Sequence, residues 1–466
     1  MNDWRAWAYT VAPGSASFYL SKVQLECLNS YLDSPVEHFE AANDEALAGG
    51  MFVNVAPGQA AEVRALRERM LVEHAEQIRF VHALQAFEAA LGADARGLSL
   101  EPWYARLPAP LRGRVELTYD YMNRPSVRLL EGMLYRSPCY TENLQSLRIC
   151  HLDADADRPF FLTTPRLLSP GELDHRAPFR SSTSRALWTL THTPAPMRQI
   201  EQMTGLKAPA LASMLTDEPP RVESPWREKS MRIRYFGHAT ILAEWKGGAV
   251  LTDPVIGVHP RSGGAPRLSY SDLPEHIDVA VITHIHQDHF DLETLLRLRD
   301  RIGTLVVPRG TSLLHGDPSL RLLARQLGFG NVVELGELES LPLADGELIG
   351  VPFLGEHGDL GLGKLSYLIC SPEQNVLVAA DCDCLDPEIY HRVRQLTGPV
   401  DTVFIGTESG GAPLSWTNGA FYAAPIPRAI DQSRRAHGAS AAHALGLSQI
   451  LGAKRIYNYA LGREPW

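Results

Sequence analysis

No stretch of the 466-residue chain approaches the roughly 20 consecutive apolar residues that a bilayer crossing needs, so no transmembrane helix is expected. The N-terminus, MNDWRAWAYTVAPG, lacks the basic start and apolar run of a secretory signal, which makes the cytoplasm the expected location. Cysteine is scarce: six residues, Cys27, Cys139, Cys150, Cys370, Cys382 and Cys384, with no CxxC pair, which argues against a zinc ribbon. Cys382 and Cys384 stand too close together for an easy disulfide, and all six are expected as thiols in a reducing compartment. An excess of basic charge is also missing. With 44 basic against 54 acidic residues the net charge is −10, which disfavours unspecific nucleic-acid binding. Internal repeats and low-complexity tracts are absent. What remains, 45% hydrophobic and 21% charged, is the composition of well-filled cores, at a length that suits two or three domains.

The first half reads as mostly helical. Residues 60–91 place apolar side chains at three- and four-residue steps, the mark of an amphipathic helix or helix pair. A shorter helix is expected within 117–134, and FFLTTPRLL, from Phe160, reads as an extended segment. Residues 186–215 have a helix–turn–helix rhythm. The acidic chain and the lack of a basic recognition helix favour a structural helical hairpin over a DNA reader. TDEPPRVESPWREKS, residues 216–230, is the best linker candidate, dividing the chain into 1–228 and 229–466. Beyond it the texture changes. MRIRYFGHATILAEW and AVLTDP read as strands, and VAVIT, TLVVP, NVVEL, LIGVPF, LSYLIC, VLVAA and TVFIG follow as short β-branched runs between helical segments. That pattern predicts buried strands of an α/β layer structure.

The chemistry is concentrated in THIHQDHFD, which follows the strand at 278–282 and precedes a helix with Leu292, Leu295, Leu296 and Leu298 on one face. His284, His286, Asp288 and His289 put three imidazoles and a carboxylate on one strand-to-helix turn. Both groups are suitable ligands for zinc, iron or manganese. Alternation points His284 and His286 the same way, leaving Asp288 and His289 to serve a second metal.

HxHxDH after a buried strand is the signature of the metallo-β-lactamase superfamily. RYFGHATILAEW followed by VLTDP resembles that superfamily's opening hairpin and Asp-Pro turn. The resemblance implies an αββα sandwich, preceded here by a mainly helical α+β N-terminal domain. Asp253 reads as a residue that orients a ligand histidine, and His238 as structural. Further carboxylates stand just past strand ends, where α/β folds collect their ligands: Glu356 in GEHG, Asp381 after VLVAA, and Glu408 in GTESGG. Asp381 is placed to bridge two metals. Asp383 is its rival by register, His357 the rival of Glu356, and His437 enters if the site follows a hydrolase pattern.

An oxygen-rich donor set of this kind suits dioxygen activation better than hydroxide generation. At this level the chain resembles the diiron β-hydroxylases that act on amino acids tethered to nonribosomal peptide synthetases, the chloramphenicol-pathway type. The matching pieces are PFLGEH, KLSYLI, GTESGGAPLSW, QSRRAHGAS and YALGREPW, in the same order. The resemblance implies one iron on His284, His286, Glu356 and Asp381, and a second on Asp288, His289, Glu408 and the shared Asp381. It also implies dioxygen as co-substrate, an external electron donor, an aminoacyl-loaded carrier domain as partner, and a homodimer built on the N-terminal domain. Glu356 and Asp381 would be closest to the chemistry. GTESGG departs from the family where a cysteine is expected after the glutamate. The alternative is a dinuclear zinc or manganese hydrolase of an ester, lactone or phosphodiester. A flavodiiron reductase would need a flavin domain, of which the sequence carries no sign, and a silent scaffold would bury this donor set at a cost in stability.

Overall fold

The structure, a computed structural model, describes residues 3–6, 11–47, 50–150, 155, 167–168, 172–207, 211, 214–218, 221, 223–260, 263–310, 315–355, 363–408, 410–462 and 464. The stretch from Phe160 to Pro165 lies outside them, as do Glu356 and His357.

In the N-terminal part, the expected amphipathic stretch is a pair of helices, Ala60–Glu73 and Ala75–Asp94, whose Leu66, Phe80, Leu84 and Phe87 are buried. A small sheet orders β1 (Asp3–Ala6), β4 (Ser146–Cys150) and β5 (Leu173–Arg176). Between them β2 (Val115–Tyr119) and β3 (Pro125–Leu129) form a hairpin, which corrects the helix expected around 117–134 in all but its last turn, Glu131–Leu134. The reason is local. Asp120 accepts hydrogen bonds from the backbone N–H groups of Met122 and Arg124, and Asn123 takes a positive φ of 57°, so the chain reverses. Alternation then buries Val115, Leu117, Val127 and Leu129 on one face. The 186–215 segment holds parts of two short helices, Ser182–Thr189 and Met197–Thr204, packed as a hairpin.

The rest is two six-stranded sheets. The first runs β6 (Arg232–Gly237), β7 (Thr240–Trp245), β8 (Gly248–Thr252), β9 (Ile277–Val281), β10 (Ile302–Pro308) and β11 (Val332–Leu335) in spatial order, with β8 to β11 parallel. The second orders β12 (Ser340–Leu343), β13 (Gly346–Val351), β14 (Ser366–Cys370), β15 (Asn375–Ala380), β16 (Thr402–Ile405) and β19 (Arg455–Asn458), with its last three strands parallel. A two-stranded excursion, β17 (Ala412–Pro413) and β18 (Arg435–Ala436), lies between the last two.

Side-chain alternation builds three layers of contact from these strands. Val279 and Val281 of β9 meet Val376 and Val378 of β15 in the core between the sheets. Their neighbours Ala280 and Ile282 face the opposite way, onto the helix Leu292–Leu298. Leu377 and Ala379 face the helices Pro387–Thr397 and Ala441–Leu451. This is the αββα sandwich of the metallo-β-lactamase fold.

The two halves that the linker divides pack closely against each other. Leu147, Ile149, Phe179, Leu187 and Trp188 share one apolar cluster with Leu295, Leu298 and Leu305, so N-terminal residues close the outer side of the first sheet. Polar contacts cross the same boundary. Arg299 Nη1 donates to Phe179 O at 2.8 Å, and the Glu131 carboxylate accepts from Ser319 N–H at 3.0 and 3.1 Å. Ser319 itself caps the helix Leu320–Gln326. Glu131 is buried, so Glu131→Ala strips an anionic acceptor from a helix start and is expected to lower unfolding free energy by about 2 kcal/mol. Chemical denaturation of the two proteins under identical conditions checks this, and an unchanged midpoint would refute it.

Candidate metal centre

The site begins with Asp253, at the end of β8, where no solvent reaches the side chain. Its oxygens accept from Thr283 N–H at 2.7 Å, from Thr283 Oγ1 at 2.6 Å and from His289 Nδ1 at 2.8 Å. Since the Thr283 hydroxyl hydrogen goes to Asp253, its oxygen is free to accept from His284 Nδ1, 3.0 Å away. Both imidazoles therefore carry their hydrogen on Nδ1 and turn Nε2 towards the same place. That place is Asp381: its Oδ2 is 3.1 Å from His289 Nε2 and 3.8 Å from His284 Nε2. His286 joins through its ring, packed 4.9 Å from His284 between centroids. Asp288 sits at the mouth, 56% exposed, with Oδ2 4.0 Å from His289 Nε2.

Local backbone explains why these side chains meet. Asp253 and Ala380, at the tips of β8 and β15, have φ of 33° and 48°, in the left-handed region that side chains enter at a cost of about 1–3 kcal/mol. Thr240 Oγ1 holds the first bend by donating to Asp253 O at 2.7 Å and accepting from Val255 N–H at 2.8 Å. Tyr459 OH accepts from Ala380 N–H at 3.2 Å at the second. Gly406, at the tip of β16, is needed for close approach: a Cβ there would lie 3.2 Å from Ala380 O and 3.3 Å from Asp381 Oδ1. Behind the motif, Asp291 accepts from Thr294 N–H at 3.1 Å and starts the leucine-rich helix.

Electrostatics favours a cation at the centre. Burial works against a charged His289 ring, yet Asp381, Asp253 and Asp288 outweigh it and hold its pKa well above the ordinary histidine value. His238 behaves alike: burial opposes its charge, but Asp288 and Glu464 raise its pKa to about 9. Nitrogen and carboxylate donors from His284, His289 and Asp381 all lie within 4.8 Å of one another, and so do those of His238, Asp288 and His289. Hard and borderline donors gathered on His284, His289 and Asp381, with Asp288 beside them, fit metal ions of the iron, zinc or manganese kind.

The other sequence candidates divide. Asp383 loses to Asp381: it is 1% exposed and turned into the second sheet's outer core, where His443 Nδ1 at 2.7 Å and Cys384 N–H hold it. Glu408 is exposed, and no described contact brings its carboxylate to the cluster. Glu356 is outside the described residues. The residue before it is fixed, however, since Lys364 Nζ donates to Gly355 O at 2.9 Å. His437 lies on the same rim, half-buried, with Nδ1 2.9 Å from Gly438 O. Gly438 itself comes close to Asp381 O and Glu408 N. Sequence reading missed Glu464 and gave His238 only a structural role. Their positions, 226 residues apart, carried no local signal, although GREPW was already singled out as a motif.

Comparisons with known proteins identify relatives over the whole chain. A family model described as a diiron non-heme β-hydroxylase N-terminal domain matches residues 1–219, and a β-lactamase superfamily domain matches residues 249–411. The chain is 36% identical to the 4-amino-L-phenylalanyl-[CmlP-peptidyl-carrier-protein] 3-hydroxylase of Streptomyces venezuelae, over 99% of this chain and 88% of that one. Its fold matches the crystal structure of CmlA, a diiron β-hydroxylase from the same organism, with a TM-score of 0.90 at 36% identity, covering 99% of this chain and 88% of that one. Similarity to an N-acyl-phosphatidylethanolamine-hydrolyzing phospholipase D of Caenorhabditis elegans, 32% identical, is confined to 15% of this chain and 22% of that one.

Because Asp253 sets both imidazole tautomers, Asp253→Asn is expected to weaken metal binding about 10- to 100-fold, the usual effect of removing an outer partner of a ligand. Metal titration of the apo-protein reads this directly. Affinity equal to that of the unaltered protein would contradict the role given to Asp253.

Proposed function

Since the chain belongs to the diiron non-heme β-hydroxylase family, we propose that it hydroxylates the β-carbon of an amino acid held as a thioester on a nonribosomal peptide synthetase carrier domain. The observation that carries this reading is the extent of the likeness. It runs through the N-terminal 219 residues and not only the metallo-β-lactamase part that hydrolases share. The zinc or manganese hydrolase alternative has no comparable support, the phospholipase likeness covering 15% of this chain.

In this proposal His284, His286, Asp381 and Glu356 hold one iron ion, and Asp288, His289 and the shared Asp381 hold the other. For the last position on the second ion the reading keeps Glu408, with His437 on the same rim as its rival: its Nδ1 faces the Gly438 carbonyl, which commits that hydrogen and leaves Nε2 as its metal-binding nitrogen. Bound iron would supply the dioxygen activation that such a hydroxylation needs, one oxygen atom going to the β-carbon and the other leaving as water with two protons and two electrons from an external donor. The chain's own part is positional. Asp253 and Thr283 fix the imidazoles, the carboxylates balance the charge of the ions, and Phe353, 5.6 Å from the His284 ring, presents an apolar edge there. Residues 1–228 form the N-terminal domain and 229–466 the catalytic one, with a homodimer, an electron-transfer donor and a cytoplasmic setting as further parts of the reading. No described helix is long and apolar enough to cross a membrane.

Anaerobic reduction of iron-loaded protein, addition of an aminoacyl carrier domain and then oxygen should raise the mass of the tethered residue by about one oxygen atom. If zinc fills both positions and iron cannot restore oxygen use, the hydroxylase reading is lost. The two rim candidates separate by metal content: Glu408→Gln should retain about one iron per chain and His437→Gln about two, because only a ligand's loss empties a position. The reverse result would put His437 in the donor set in place of Glu408.

A further inference from the structure

A line of polar contacts runs from the mouth of the metal centre to the C-terminal segment, and the ligand assignment leaves it unused. β6 ends in an irregularity: its pairing with β7 shifts register between Tyr235 and Gly237. Gly237 and His238 then take φ of 112° and 45°. A histidine in that region is strained, and such strain persists only where surrounding contacts hold it. Here they do. Ala460 N–H donates to His238 O at 3.0 Å, and Glu464 Oε1 accepts from His238 N–H at 2.7 Å and from Tyr235 OH at 2.5 Å. The other Glu464 oxygen is 3.9 Å from His238 Nδ1.

The bend brings the His238 ring over the mouth, with Nε2 3.1 Å from Asp288 Oδ2 and its plane tilted 66° to His289, 5.1 Å away. The side chain of His238 is 10% exposed and that of Asp288 is 56% exposed. At Asp288 Oδ2, His238 Nε2 lies nearer than His289 Nε2, at 3.1 against 4.0 Å. A half-exposed carboxylate has several rotamers open to it, and a ligand with that freedom binds weakly.

We infer that His238 and Glu464 position Asp288: the ring's Nε2, in close contact with Asp288 Oδ2, holds that oxygen and leaves the other for the second ion, and Glu464 holds the ring and its backbone in place. This rests on the proposed role of Asp288 as a ligand. His238 is then a positioning residue rather than a ligand. The C-terminal segment, through Glu464, becomes part of the metal centre's support although it touches no ion.

The test reconstitutes the full chain with ⁵⁷Fe(II) and follows iron binding, Mössbauer spectra and thermal melting for the unaltered protein, His238→Ala, His238→Gln and Glu464→Ala. The unaltered protein should show two iron-binding steps. His238→Ala should weaken one of them about 10- to 100-fold and shift one quadrupole doublet, sparing the other. Glu464→Ala should move the same step in the same direction. His238→Gln, whose amide can donate to the same oxygen, should recover most of the loss, a rescue that a purely structural role would not give. If His238→Ala and His238→Gln both lose one ion outright, His238 is itself a ligand and the inference falls. It falls equally if both steps and both doublets stay put while only the melting temperature drops. Failure of the unaltered protein to take up two irons would instead overturn the diiron reading, and that is read before any variant.

Discussion

Asp253 carries a negative charge into a place with no solvent, where a carboxylate is tolerated only if its oxygens are fully engaged. The three donors that engage it, two on Thr283 and one on His289, are the groups that set the metal centre. Stability of the fold and geometry of the site are therefore one requirement at this point. The carboxylate cannot be satisfied unless the β9–helix turn lies where His289 reaches it, and once it is satisfied, the Thr283 hydroxyl fixes His284 as well. Two Nε2 atoms facing Asp381 follow from this, before any ion is considered.

Strain is distributed along the same edge. Asp253 and Ala380 take left-handed conformations at tips of the two sheets, and His238 does so at the end of β6. Each bend turns a side chain, its own or its neighbour's, across the edge instead of along the strand. The two sheets pay for these bends with the apolar contact between them, where Val279, Val281, Val376 and Val378 leave no solvent-exposed surface to relax into. A glycine at 406 completes the edge by letting the third tip approach Asp381 without a Cβ in the way.

What the sequence discloses is what is local. THIHQDHFD places its donors within one turn, and a buried strand before it with a leucine-rich helix after it leaves little freedom in where that turn points. Asp381 was separable from Asp383 because the strand ends immediately before it, and the structure sends Asp383 to His443 on the other side of the sheet. For Glu408, strand-tip reasoning reaches only the backbone. A position just past a strand fixes where a Cα lies but not which way its side chain turns, and the two-stranded excursion that follows brings His437 to the same rim. The 117–134 hairpin was hidden for a related reason: its apolar residues fit a helical spacing until Asp120 and Asn123 are read as a turn. His238 and Glu464 were out of reach because their partnership exists only after the first and last strands of the catalytic half have come together.

The N-terminal half cannot be treated as a cap laid over a finished enzyme. Its Phe179 and Trp188 occupy the same apolar cluster as the helix behind the metal motif, so removing them would open the outer side of the first sheet to water. The excursion that carries His437 is tied to it too. Phe421 packs against Phe18 and Tyr19 at centroid distances of 5.3 and 5.2 Å, and Phe18 stacks on His315 of the sandwich. A centre whose rim is held by a second helical body has a mouth shaped from both sides. That is the arrangement required if a powerful oxidant is to meet one C–H bond at the end of a long tether and nothing else.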